Sequence, residues 1–120
     1  MNETTVVNVK VAYIRPKYTN LYEWCQDKNN VYIGRARVIF IDGVRYPYQD
    51  SPFCNPFKIG KDGEREDVLN KYRQHLIKML NEGTITIDQL LELKGKNLGC
   101  WCAPEPCHGD ILVEFIDYYS

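Results

Sequence analysis

Apolar and polar residues alternate near the start of the chain in the spacing of a β-strand. We predict this strand from Val6 to Ile14, because Val7, Val9, Val11 and Tyr13 share one face of an extended chain. A proline two residues beyond Ile14 ends the pattern.

Two further strand patterns follow in the first half of the chain. Val31–Ile33 is a short apolar run that ends at Gly34. Between Ala36 and Tyr48, two apolar runs flank Asp42 and Gly43, a dipeptide favoured in tight hairpin turns. The sequence therefore predicts a short strand followed by an inserted β-hairpin.

Helical spacing replaces alternation in the second half. A long helix is predicted over Glu64–Glu82, with Gly83 as its C-terminal stop. A shorter helix follows Thr86, which forms a predicted capping box with Gln89. The apolar spacing over Asp110–Tyr119 predicts a final helix.

The order of these elements defines the expected fold class. A strand containing Cys100 separates the last two helices, so the order is strand, strand, hairpin, helix, helix, strand, helix. We predict an α/β fold in a small single domain spanning residues 1–120. We expect a mixed sheet with the C-terminal strand in its centre, helices packed on the sheet, and the hairpin as an insertion.

Composition and charge narrow the classes of function. The chain has 120 residues, 44% of them hydrophobic, and a net charge of −1, so it lacks the basic excess that binds long nucleic acids. Lys58, Lys61 and Arg65 are interpreted as solvated, with the alternative that one of them contacts a phosphate. No apolar stretch approaches the roughly 20 residues that cross a membrane, and no signal peptide is recognised at Met1. We therefore predict a cytoplasmic protein with no membrane partner; whether it forms an oligomer is left open.

The chemistry of the chain is concentrated in Leu98–Asp110. These thirteen residues contain three of the five cysteines, one of the two histidines and one of the two tryptophans. The segment runs from a strand through a proline loop to the start of a helix. That junction often holds phosphates or reactive side chains, because the first turn of a helix has unpaired N–H groups and a positive dipole end.

Residues elsewhere in the chain complete a predicted ligand site. Gly34 and Arg35 end a strand and combine close backbone approach with a bidentate cation, as phosphate and carboxylate sites do. Asn55 can bond a base or a ribose hydroxyl, and Tyr32 and Phe57 can stack on a base. The complete set of predicted ligand contacts is Tyr32, Gly34, Arg35, Asn55, Phe57, Cys102 and His108.

The cysteines also allow two alternatives to a ligand-binding site, a cysteine-dependent enzyme and a zinc-stabilised module. In an enzyme, Cys107 or Cys102 would be the nucleophile, because a helix start stabilises a thiolate, and His108 and Asp110 would assist it. Asp110 can equally be a capping residue.

In a zinc-stabilised interaction module, the ligands would be Cys100, Cys102, Cys107 and His108. Zinc is therefore the one cofactor left open, and no other cofactor is predicted.

Three motifs resemble those of a small family from bacteria and their phages, described as a domain of unknown function. They are YIGR at residues 32–35, SPFCNPFKIG at residues 51–60 and CWCAPEPCHGD at residues 100–110. The resemblance implies a shared pocket and a phage setting, and it supplies no activity.

The leading functional hypothesis is binding of a phosphorylated small molecule. We expect a nucleotide or an ADP-ribose-like signal, with phosphates at Arg35 and at the start of the last helix. A phage protein that sequesters such a signal needs affinity and no catalysis. The alternatives are a nucleotide-processing hydrolase or glycosidase that depends on cysteine and histidine, and the zinc-stabilised module.

Overall fold

A parallel three-stranded sheet with the C-terminal strand in its centre organises the fold. The computed structural model describes residues 3–36, 40–41, 43–46, 49–103 and 105–120. In chain order, its elements are β1 (Thr5–Asn8), α1 (Val11–Ile14), α2 (Leu21–Gln26), β2 (Asn30–Tyr32), β3 (Phe40–Ile41), β4 (Val44–Arg45), α3 (Arg65–Glu82), α4 (Ile87–Leu91), β5 (Asn97–Cys100) and α5 (His108–Tyr119). The strand order β1-β5-β2 puts β5 between two parallel neighbours, with Leu98 opposite Val6 on one side and Val31 on the other.

The α/β class and the central position of the last strand are confirmed. The described strands of the main sheet are all parallel, whereas we expected strands of mixed direction. The difference arises because β3 and β4 pair with each other in a separate antiparallel sheet and add no strand to the main one.

Helices cover both faces of the sheet and enclose two apolar clusters. On one face, Leu98 packs in a large cluster with residues of α3, α4 and α5, among them Tyr72 and Leu112. On the other face, Val9 and Trp24 form a smaller cluster with residues of α1 and α2. The fold therefore has three layers, and β5 contacts both clusters because side chains alternate along a strand.

The first strand is shorter than the alternation predicted. It ends at Asn8, whose side-chain Oδ1 accepts a hydrogen bond from the backbone N–H of Lys10 at 2.9 Å and whose Nδ2 donates to the carbonyl of Ala103 at 2.7 Å. The side chain thus stabilises a turn, and a short helix replaces the predicted second half of the strand. The prediction that Val9 and Tyr13 share a strand face was wrong, because Val9 is buried and Tyr13 is 62% exposed.

The predicted helix boundaries agree closely with the structure. α3 ends at Glu82, and Gly83 follows with φ of 77°, in the left-handed region that glycine adopts at low cost. The capping box of Thr86 and Gln89 is present at the start of α4, with both hydrogen bonds formed at 2.8 and 3.1 Å. α5 begins at His108, two residues earlier than predicted.

The predicted β-hairpin is confirmed for the residues that the structure describes, β3 and β4. β3 and β4 are antiparallel, and Gly43 between them has φ of 78°. The rest of the predicted element, residues 37–39, 42, 47 and 48, lies outside the described residues. Within the described part of the chain, no helix has the length and apolar character needed to cross a membrane.

Candidate functional site

A cleft of about 300 Å³ opens at the carboxyl edge of the sheet, where β2 and β5 end. Ligands of open α/β proteins bind at this edge, because the loops that follow the strands diverge there. Six of the seven predicted ligand contacts line the cleft, namely Gly34, Arg35, Asn55, Phe57, Cys102 and His108. The two segments that carry most of the predicted chemistry therefore meet in space.

A direct contact holds these two segments together. Nε2 of His108, the first residue of α5, lies 2.7 Å from the carbonyl oxygen of Ile33 at the end of β2. Gly109 makes the approach feasible, since a Cβ there would lie 2.9 Å from Cγ1 of Val6 and 3.0 Å from Cδ1 of Ile33. The start of α5 is thus packed against the strand tip that carries Arg35.

Tyr32, the seventh predicted contact, does not line the cleft. It contacts the backbone of Arg35, which does line the cleft. Its hydroxyl donates to the carbonyl of Arg35 and accepts from Nε1–H of Trp101, both at 2.7 Å. A Cβ on Gly34 would lie 2.4 Å from this hydroxyl, so the glycine is needed for the ring to pack there. The tyrosine therefore orients the turn that presents Arg35.

The cleft is lined by cations. Arg35, Lys58 and Arg65 contribute side chains, and no carboxylate occurs among its described lining residues. Nη1 of Arg35 is buried and has no hydrogen-bond partner within the described part of the chain. A buried donor without a partner costs free energy, so such an atom commonly marks the position of a bound group.

Lys58 and Arg65 both line the cleft, and Lys58 is exposed there. The sequence predicts solvated side chains and leaves a phosphate contact by one of them as the alternative. Arg65 is in the first turn of α3, and its Nη1 donates to the carbonyl of Pro106 at 2.7 Å. This bond connects α3 to the proline loop after β5. No local pattern distinguishes these two cations from the surface lysines near them, because only the tertiary fold brings them to the cleft.

His108 is a buried, neutral imidazole. Burial lowers its pKa, and the nearby charge of Arg35 lowers the pKa further, while the bond to Ile33 opposes these effects. Because a carbonyl oxygen only accepts, Nε2 must carry the proton of that bond. Nδ1 is then the acceptor atom of the ring, at the edge of a cationic cleft.

The lowered pKa of His108 predicts a pH-dependent stability. The unfolded histidine takes up a proton as the pH falls below about 6.5, whereas the folded one resists it, so the stabilising contribution is complete above that pH and is lost below it. The loss should not exceed about 1.4 kcal/mol per pH unit. We expect His108→Gln, whose amide can still donate to Ile33, to lose less stability than the wild type between pH 7 and pH 5.5. Urea denaturation measures this difference, and identical pH profiles would contradict it.

Cys100 and Cys107 form a buried thiol pair at the cleft. Their Sγ atoms are 3.3 Å apart, with the Cys107 thiol donating to Cys100. This bond, with backbone N–H groups of Cys102 and Ala103, lowers the pKa of Cys100, while the bond and burial raise the pKa of Cys107. The enzyme hypothesis has Cys107 or Cys102 as the nucleophile; in the structure, the Cys107 thiol donates to Cys100, and Cys102 is exposed.

The four predicted zinc ligands are not arranged as a metal site. Cys102 is exposed beyond the end of β5, and the Nε2 atom of His108 is bonded to a backbone carbonyl. Within the described part of the chain, no three His, Cys, Asp or Glu side chains are grouped so that they could hold a metal ion.

Asp110 caps α5 and does not line the cleft. Its Oδ2 accepts from the backbone N–H of Cys107 at 2.9 Å, which completes a capping box at the start of the helix. The sequence left open whether this residue is catalytic or a cap, and its contacts favour the cap.

We expect Asp110→Ala to destabilise the protein by about 1 kcal/mol, the usual effect of losing a helix cap. Its affinity for a cleft ligand should change by less than about threefold, since about 0.6 kcal/mol or less would then be lost from binding. Chemical denaturation and calorimetric titration of the same preparation measure the two effects. A large loss of affinity without a loss of stability would assign the carboxylate to the site instead.

The fold and the cleft define a three-layer α/β protein with a cationic cleft at the carboxyl edge of a parallel sheet. The chain belongs to the family described as "Domain of unknown function (DUF4326)", whose model matches residues 17–118. It is similar to the "Uncharacterized 12.4 kDa protein in nrdA-td intergenic region" of Enterobacteria phage T4, with 40% identity over 60 residues, covering 49% of this chain and 56% of the phage protein.

A second relative is viral. The "Uncharacterized protein R718" of Acanthamoeba polyphaga mimivirus is 32% identical over 93 residues, which cover 71% of this chain and 65% of the viral protein. The chain thus spans between half and two thirds of the length of these two relatives. No solved structure matches the chain.

Proposed function

We propose that the cleft binds a phosphorylated small molecule of about the size of a mononucleotide. The observation that carries this proposal is the buried Nη1 of Arg35, which has no partner among the described residues and belongs to a cleft lined by three cations. A phosphate oxygen would satisfy this donor, and the guanidinium can bind two oxygens at once. Even with Cys100 ionised, the lining side chains keep a net positive charge.

The start of α5 adds the positive end of a helix dipole to the cleft. Cys107 and His108 line the cleft, and the positive end of the helix dipole lies at these residues. A phosphate held between Arg35 and this helix turn would contact both segments that the bond from His108 to Ile33 brings together.

The opposite wall suits a base or a sugar. Phe57 lines the cleft, where its ring is held edge-on to His75 with centroids 5.9 Å apart. Oδ1 of Asn55 accepts from the backbone N–H of Phe57 at 2.9 Å, which fixes the orientation of the amide and leaves its Nδ2 donors for a ligand. An aromatic ring beside an oriented amide is a common arrangement for recognising a heterocycle.

The volume of the cleft limits the size of the ligand. Small-molecule pockets range from about 300 to 1,000 Å³, and this cleft is at the lower end of that range. A nucleoside monophosphate therefore suits it better than an ADP-ribose-like compound, which carries a second phosphate and a second sugar.

We favour binding without turnover as the role of the site. In the enzyme hypothesis, Cys107 or Cys102 is the nucleophile and Asp110 assists, but the Cys107 thiol donates to Cys100 and Asp110 is a helix cap. The relatives come from a phage and a virus, which suits a protein that sequesters a nucleotide in the cytoplasm of an infected cell.

Matched ligands test the proposal. We expect adenosine monophosphate to raise the unfolding temperature of the protein, by an amount that corresponds to about 2.7 kcal/mol at a hundred times its dissociation constant. Adenosine, which lacks only the phosphate, should have a much smaller effect, and ribose 5-phosphate an intermediate one. Equal effects of the nucleotide and the nucleoside would contradict the proposal, as would no effect of a panel of nucleoside monophosphates.

A further inference from the structure

The Cys100–Cys107 pair is placed as two thiols about to be joined. Their Sγ atoms are 3.3 Å apart. The S–S bond of a disulfide is about 2.0 Å long, so the two atoms must approach each other by about 1.3 Å. Cys100 ends the central strand, and Cys107 is the residue before α5.

The surroundings of the pair give the two sulfur atoms different roles. The Cys107 thiol donates to Cys100 Sγ, and this bond together with nearby backbone N–H groups lowers the pKa of Cys100. Cys107 Sγ in turn accepts from the backbone N–H of Asp110 at the start of α5. Cys107 remains the proton donor. One sulfur is therefore prepared to attack an electrophile, and the other is held beside it to attack in turn.

Small molecules can reach this otherwise buried pair through the cleft. Both side chains are at most 3% exposed, yet both line the cleft at the sheet edge. Cys25 and Cys54 do not line it, and the pKa of each thiol is raised by burial. Reactivity toward a small oxidant should therefore be low at Cys25 and Cys54.

We propose that Cys100 and Cys107 are an oxidisable dithiol that a hydroperoxide converts into a disulfide across the cleft. The Cys100 thiolate attacks the peroxide, the O–O bond breaks, and an S–O bond forms; the departing alkoxide or hydroxide takes a proton from water. The Cys107 sulfur then attacks the Cys100 sulfenic acid, the S–S bond forms, and the S–O bond breaks. The hydroxyl leaves as water with the thiol proton, so two thiols lose two electrons and the hydroperoxide is reduced to an alcohol or water.

Mass spectrometry of the full chain tests this step directly. The protein, freed of metals with a chelator and fully reduced, is treated with one equivalent of hydrogen peroxide. We expect a loss of about 2 Da, the two hydrogen atoms of a disulfide, with no oxygen retained. Peptide mapping should place the bridge between Cys100 and Cys107. A bridge to Cys102 instead, or five free thiols after excess peroxide, would overturn the proposal.

Serine variants separate the roles of the cysteines. Cys107→Ser should stop at the sulfenic acid, seen as a gain of about 16 Da that dimedone traps at Cys100. Cys100→Ser should react with peroxide at least about tenfold more slowly, because it removes the sulfur to which the Cys107 thiol donates. Cys25→Ser, outside the cleft, is the matched control and should form the bridge as the wild type does. Loss of the bridge in that control would contradict the assignment, while the mapping of the wild type holds even if a variant fails to fold.

Discussion

Replacing Arg35 by alanine is expected to weaken binding of a nucleoside monophosphate by about 30- to 1,000-fold. This corresponds to about 2–4 kcal/mol, the range for truncating one partner of a buried, charge-assisted contact. The stability of the unliganded protein should not fall, because Nη1 of this residue is buried without a partner among the described residues, and the substitution removes that cost. Isothermal titration calorimetry and urea denaturation measure the two quantities.

Two further variants sharpen this prediction. Arg15→Ala removes the same charge at an exposed position in the segment after α1, where Nε donates to the carbonyl of Thr19, and it should leave the affinity within about twofold of the wild type. Arg35→Lys keeps the charge and loses the fork geometry, so its affinity should fall between those of the wild type and Arg35→Ala. Equal affinities of the two alanine variants would contradict the role given to Arg35.

Replacing Leu112 by alanine is expected to destabilise the protein by about 2–5 kcal/mol. This side chain of α5 is fully buried in the larger apolar cluster, and its removal leaves a cavity beside the central strand. The midpoint of urea denaturation should fall while the slope of the transition stays the same. The substitution should also disturb the contact between His108 and Ile33, because His108 is on the same helix.

An exposed aliphatic residue provides the control for this substitution. Ile77 lies on α3 with 45% of its surface exposed, and Ile77→Ala should change the free energy of unfolding by less than about 1 kcal/mol. Similar losses in the two variants would mean that α5 does not pack on the sheet as described.

The parts of the fold that depend on neighbouring residues could be predicted from the sequence. The end of α3 at Gly83, the capping box of Thr86 and the turn at Gly43 each follow from one or two residues whose backbone or side chain has a known preference. The meeting of the Arg35 and His108 segments was also predictable, because both follow parallel strands and therefore lie at the same edge of the sheet.

Other features could not be predicted, because they depend on contacts between distant residues. The alternation up to Ile14 suits a strand, but the side chain of Asn8 bonds to Ala103 and turns the chain instead. Lys58 reaches the cleft only through the path of residues 51–60, and Arg65 only through the placement of α3.

The contact between the thiols of Cys100 and Cys107 is the most informative feature that the sequence did not predict. The sequence places Cys100 in a strand and Cys107 at a helix start, and each position alone is compatible with ordinary burial. The 3.3 Å separation of their sulfur atoms depends on the folded path of the chain and is not visible in either local pattern.

A nuclear magnetic resonance titration tests the central claim, that the strand tip and the start of α5 together bind a phosphate. Adenosine monophosphate is added to the ¹⁵N-labelled protein, with adenosine as the reference. The account predicts that the largest shift changes occur at the amides of Gly34, Arg35, His108 and Gly109 and at the guanidinium of Arg35, and that adenosine leaves these signals nearly unchanged. Largest changes outside the cleft, or equal changes with adenosine, would contradict it.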